Sequence, residues 1–242
     1  VILTACREEQ YVIHQLIFAY PKPGMSEEEF QRYWLEVHAV QYASKIPQIR
    51  KYMIDTRIPF DPNDNDYLWS GVAEIWLAND DEQIASLQSD EFLNGARLDE
   101  PRWAAFWRTL VLDTDAHEIV TPPVHTGTGS GVKLLRLVKR REGVPLREFR
   151  ERSLEKYAQL AREIPGLRGY LLNTTRDSWY HIGETVLDAC HLMWFDSVEA
   201  AHAALASRQF QHAEDELLSF VEPRYLHQML VREHWVIGPD GR

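Results

Sequence analysis

Apolar positions recur along the chain in two rhythms. In YVIHQLIFAY (11–20) and VKLLRLVKRR (132–141), branched and aromatic residues crowd together as in a strand. In EFQRYWLEVHAVQY (29–42) they return every third or fourth residue, as along one face of a helix. The turn PGMSEEEF precedes that helix, and Ser26 and Glu29 have the spacing of a capping box. Strands are predicted over 49–57, 69–77 and 108–114. A second helix opens at NDDEQ (79–83), acidic as the helix dipole favours. The same series returns at 167–175, 185–195 and 226–236, with DSVEA (196–200) opening the helix. Each half therefore reads β-α-β-β-α-β.

The two halves also match residue by residue. SEEEFQRYWLEVHAVQYASKIPQIRKY (26–52) aligns with PLREFRERSLEKYAQLAREIPGLRGY (145–170), placing Phe30 on Phe149, Glu36 on Glu155, Arg50 on Arg168 and Tyr52 on Tyr170. Trp76 falls on Trp194, Phe92 on Phe210, and DAHEIV (115–120) on REHWVI (232–237). Between them TPPVHTGTGSG (121–131) reads as a linker, with the boundary near 126. The expected domains are 1–121 and 127–242. On the first strand Val12, Leu16, Phe18 and Tyr20 share one side, and Ile13, Ile17 and Ala19 the other. A sheet apolar on both faces needs cover on both. The predicted fold is α+β: two tandem ferredoxin-like repeats pairing sheet to sheet as an intramolecular α/β barrel.

Composition narrows the partners. The chain has 242 residues, 45% of them hydrophobic, which is enough for a sizeable core. A net charge of −11 disfavours phosphate backbones and anionic lipid surfaces, so neither nucleic acid nor membrane is expected as a partner. No apolar run approaches the ~18 residues of a membrane-spanning helix. Two cysteines, Cys6 and Cys190, make neither a Cys-rich metal site nor a disulfide framework, and a reducing, cytoplasmic setting is expected. The segment VILTACREEQ does not read as a signal peptide, although the chain opens at Val1 rather than Met.

The string KPGMSEEEFQRYWLEVHA, followed by IPQIRKY and AEIWL, resembles an EthD-type domain of the dimeric α/β-barrel superfamily, and the second half resembles a diverged copy. The resemblance implies a small-molecule pocket between the sheet and helices of a unit. Members include lactone isomerases, polyketide cyclases, decarboxylases or dehydratases, and cofactor-free or haem-handling oxygenases, so the fold alone does not select a reaction.

His38 is the first candidate for chemistry. At about 100° per residue, Phe30, Trp34, Leu35, His38 and Tyr42 fall within an arc of roughly 140°. His38 then faces the sheet, where an imidazole suits proton transfer. A core histidine bonded to a carbonyl is the alternative, and the resemblance, which carries a histidine at this helix position, raises the catalytic reading. The second half has Tyr157 in its place, and Ser153 in place of Trp34. His14 lies with Leu16 and Phe18 and is expected either to meet His38 across a pocket or to reach solvent. Glu74, among apolar neighbours, must be paired or have a raised pKa, and would orient an imidazole or act as base. Its counterpart is Leu192. Tyr33, Trp34, Tyr42, Tyr52 and Trp76 are the candidate substrate-binding residues, with Tyr52 able to donate to an oxyanion or, like Tyr170, to serve the fold. His117 and His234 match in the two copies, which favours a structural cause. Neither HExxH nor HxxxH spacing occurs, and no metal or other cofactor is expected.

These residues lead to a cofactor-free acid–base enzyme of lyase, isomerase or cyclase type, acting on a small aromatic, lactone or polyketide-like substrate. The alternatives are a cofactor-independent monooxygenase and a non-catalytic small-molecule-binding stress protein, with haem binding more distant. A homodimer of such chains is compatible with the sequence.

Overall fold

The structure is a computed structural model that describes residues 13–60, 67–124 and 131–242. The proposed boundary near 126 and Cys6 lie outside the described residues. Eight strands close into one barrel: β1 (Ile13–Ala19), β2 (Lys51–Ile58), β3 (Gly71–Leu77), β4 (Leu110–Val120), β5 (Val132–Val138), β6 (Gly169–Thr175), β7 (Ala189–Phe195) and β8 (His227–Ile237). Their order around the barrel is β1-β3-β2-β8-β5-β7-β6-β4, and every neighbouring pair is antiparallel. Each repeat supplies four adjacent strands, so the sheets join at two seams, β2–β8 and β4–β6. Closure removes the exposed strand edges that either sheet would have alone. No helix among the described residues is long and apolar enough to cross a membrane.

Matching contacts close the two seams. Thr56 Oγ1 lies 2.9 Å from His234 Nε2, and Thr174 Oγ1 lies 3.1 Å from His117 Nε2. The repeated histidines thus each meet a threonine of the other repeat. β4 runs to Val120, beyond the predicted 114, because its second half pairs with β6.

Helices cover the outside of the barrel. α1 (Glu27–Tyr33) begins at Ser26, whose side chain accepts from the Glu29 amide, while the Glu29 carboxylate accepts from the Ser26 amide. It continues without a break as a wider, π-helical segment over Trp34–Tyr42. Such widening is rare and gathers at functional positions. α2 (Asp80–Gln88) is capped by Asn79, and a second π-helical segment, Glu91–Ala96, leads into the short α3 (Arg97–Asp99). The second repeat follows the same plan with α4 (Leu146–Glu151), a π-helical segment over Arg152–Tyr157, α5 (Ala158–Ala161), α6 (Asp177–Tyr180), α7 (Val198–Leu205) and α8 (Arg208–Leu218).

Strand alternation sorts side chains into an inner and an outer layer. Ile13 and Ala19 face outward into a core with Phe30, Trp34 and Trp103. Leu16 and Phe18 face inward with Val72, Leu135, Leu192 and Val231. Gly71 lets Trp34 lie close to the sheet: a Cβ there would stand 2.5 Å from the Asp55 carbonyl oxygen and 3.0 Å from the Trp34 ring. The second repeat carries Ser153 and Ala189 at these two positions.

Candidate functional site

The outer site is built on the π-helical segment. The His38 ring is only 6% exposed, and its Nδ1–H donates to Asp99 Oδ2 at 2.9 Å. Asp99, at the end of α3, accepts from the Tyr33 hydroxyl through its other oxygen at 2.8 Å. Arg102 stands 3.7 Å from that same oxygen. The Trp103 ring packs 4.7 Å from the imidazole and Tyr42 lies 6.4 Å from it. Burial holds the His38 pKa below the ordinary histidine value, and the Asp99 carboxylate opposes that shift without cancelling it. Burial, reinforced by the Asp99 charge, raises the Tyr33 hydroxyl above its usual range. The Nε2 of His38 makes no hydrogen bond to the described residues. Neutral His38 therefore presents a lone pair there, with a carboxylate behind it to hold the charge when a proton arrives.

Trp34 and Tyr52 take a different place from the one expected of ligand-contacting residues. Trp34 is wedged between Phe30 and Trp103, with ring centres 5.3 and 5.0 Å away, and Tyr52 is buried beside it. These rings fill the layer between sheet and helix. A cavity that shares Tyr33 with the His38 set is an open hollow of about 340 Å³ along α1, lined also by Lys22, Met25, Glu29, Arg32, Glu36 and Val37.

His14 does not meet His38, contrary to one of the two expectations for it. His14 points into the barrel, while His38 sits on the outer face of the same sheet. Period-two alternation leaves the whole sheet between them. The other expectation, a solvent-reaching end of strand, also fails, since His14 is buried. Its Nε2–H donates to Glu74 Oε2 at 2.7 Å, and its Nδ1 accepts from Asn173 at 2.9 Å. Trp76 belongs to this inner cluster too, stacked on His14 with ring centres 4.4 Å apart. Glu74 also receives the Lys133 ammonium, which reaches Asp55 at 2.7 Å and Glu233 at 2.9 Å. Burial acts to raise the Glu74 pKa, but Lys133 and His14 outweigh it and the net shift is downward. Asp55, with burial dominant and Glu74 beside it, is raised. Asp55, Glu74 and Glu233 bring carboxylate oxygens within 4.8 Å of one another, a donor set that would suit a cation, and Lys133 supplies one from the chain. His14 and Lys133 hold equivalent places, each paired in register with the tryptophan of its own repeat, Trp76 or Trp194.

Sequence reasoning missed Asp99, Asp55, Lys133, Glu233 and Asn173. Lys133 stands in the apolar run VKLLRLV, an anomaly open to notice. Asp99 stands in the charge-rich ARLDEPRW, where nothing local distinguishes it.

The second repeat has Tyr157, not an imidazole, at the His38 position of its first helical stretch. Tyr157 accepts from Arg136 at 3.2 Å, Arg136 pairs with Glu214 at 2.6 Å, and the Tyr170 hydroxyl donates to His191 Nδ1 at 2.8 Å. Burial, with Arg136 adding to it, lowers the His191 pKa to about 3. Cys190, the next residue back along the strand, points the other way, into the barrel core.

A closed antiparallel barrel made of two ferredoxin-like halves, which among the described residues carry a His–Asp pair on the outside of the first and an Arg–Tyr pair in the second, defines a tandem α/β-barrel protein. The EthD domain model matches residues 22–106 and 141–224, well over half of the sequence, and the chain belongs to the EthD family. Solved structures of other proteins share the full architecture. An anthrone oxidase-like protein is 11% identical, with a TM-score of 0.65 and 94% of each chain covered. A candidate monooxygenase from Fusobacterium nucleatum is 9% identical, with a TM-score of 0.60, covering 94% of this chain and 95% of its own. An EthD family protein from Bacillus halodurans is 26% identical over 43% of this chain and 99% of its own, with a TM-score of 0.37. No curated protein matches the chain.

Proposed function

We propose that the protein is an acid–base enzyme acting on a small aromatic, lactone or polyketide-like molecule, with His38 as the proton acceptor. The observation that carries this reading is the pairing of His38 Nδ1 with buried Asp99 at 2.9 Å while Nε2 has no partner among the described residues. Nε2 takes a proton from a carbon next to a carbonyl, or from a phenol. The imidazolium that results is held by Asp99, whose position Tyr33 fixes. Return of the proton to another atom gives isomerisation, loss of a leaving group gives elimination, and attack by the carbanion gives ring closure. We assign His14 and Glu74 to holding the barrel together, since both are buried in its interior, away from this site.

The test is to incubate the purified protein with small-molecule extracts and follow which compound disappears. The proposal expects a compound consumed by the wild type and left by His38→Gln. Equal consumption by both proteins overturns it. The second reading is a cofactor-independent monooxygenase. It begins with the same step, because an enolate or phenolate left by His38 is the electron-rich species that gives an electron to oxygen. Structural neighbours carry oxidase-like or monooxygenase descriptions. Turnover that stops without dissolved oxygen selects this reading, and oxygen-independent turnover selects the first.

A further inference from the structure

A second cavity, of about 230 Å³, opens at the end of the barrel where β1 and β5 finish. Its floor is Leu137 and Met229, which belong to the barrel core. One wall is Trp69, held in place by its indole N–H donating to the Arg108 carbonyl at 3.0 Å. The His227 ring meets Trp69 edge-on, with centres 6.0 Å apart. Tyr67, covered by the Arg57 guanidinium at 3.9 Å, forms part of the rim. Neither ring nitrogen of His227 has a hydrogen-bond partner among the described residues. Burial also lowers its pKa, so the neutral ring offers one acceptor and one donor.

Size and lining limit the occupant. An apolar cavity of roughly 150 Å³ accepts benzene. The larger space here takes one aromatic ring and a substituent, and it is below the ~300 Å³ at which drug-sized ligand pockets begin. The apolar floor and Trp69 suit a flat ring, and His227 supplies a polar contact, with Arg57 and Gln228 also in the lining. The geometry points to this mouth as a second ligand site, for a monocyclic aromatic molecule carrying a hydroxyl that donates to His227. It is separate from the His38 site and does not depend on the reaction assigned there.

Phenol and benzene are the probes, titrated into the full chain while the Trp69 indole and His227 ring resonances are followed by NMR. Phenol should shift both saturably, and benzene should bind about tenfold more weakly because it leaves His227 unpaired. His227→Leu should weaken phenol about tenfold and leave benzene unchanged. Leu137→Phe should reduce both by filling the floor, and His38→Gln should change neither. Equal affinity of the two probes, or shifts confined to His38 and Tyr33, would overturn the assignment. If His227→Leu does not fold, the wild-type comparison of the probes and the Leu137→Phe titration decide it.

Discussion

The imidazole of His38 and the carboxylate of Asp99, 61 residues apart in the chain, meet at 2.9 Å with almost no exposure to solvent. Among the described residues, Asp99 is the group acting to raise the His38 pKa against burial. Asp99→Asn should therefore lower that pKa further, as read from the ring resonances in an NMR titration. Catalysis should fall about 100-fold, the lower end of what a positioned acid–base group contributes. A His38 pKa that stays in place or rises in the variant would show that the carboxylate does not govern the ring.

The same pair sets a pH profile. A base must be neutral to work, so kcat/KM should rise with pH through the His38 pKa and level above it. Because burial lowers that pKa from 6.5, the acid limb should lie below 6.5. A profile measured on the compound found in extracts, with a limb above neutrality, would assign the step to another group.

Inside the barrel, Lys133 holds Glu74, Asp55 and Glu233, which lie on three strands of both repeats. Lys133→Met strands the buried Asp55 and Glu74 carboxyl groups without their ammonium partner. Removing one partner of a buried pair costs about 3–5 kcal/mol. Urea unfolding should show a loss of that size, and the double variant with Glu74→Leu should recover part of it, since Leu192 already fills the equivalent place in the other repeat.

His191 makes stability depend on acid. Its pKa falls from 6.5 unfolded to about 3 folded, so folding favours the neutral ring. That contribution is whole above pH 6.5 and is lost as pH falls toward 3. His191→Gln should give a shallower decline of the urea midpoint over this window. An unchanged slope would place the acid sensitivity elsewhere.

At Gly71 the constraint is steric. Alanine would press on the Asp55 carbonyl and on Trp34. Gly71→Ala should cost about 1–3 kcal/mol, the usual range for overpacking. A melting temperature equal to that of the wild type would mean that the strand shifts freely to admit the methyl group.

Much of the architecture was legible in the chain because it rests on local rules. Ser26 and Glu29 signal a helix start by themselves, and the capping box is there. Phe30, Trp34 and His38 recur at one-turn spacing, and all three are buried on the same side. The apolar faces of the first strand called for cover on both sides, which closing the barrel provides. The content of the inner layer was not legible. His14, Glu74 and Lys133 sit on strands far apart in sequence, and a strand pattern tells which side a residue takes but not which distant residues meet it there.

The sequence by itself determined the repeat, the order of elements and the inward turn of His38, because these follow from spacing of three to four residues in helices and two in strands. Tertiary structure decided the partners. Asp99 reaches His38 only after the α3 turn folds back over the π-helical segment. Lys133 reaches Glu74 only after the two sheets close. Such encounters are set by packing across the whole chain, and no short window of residues records them.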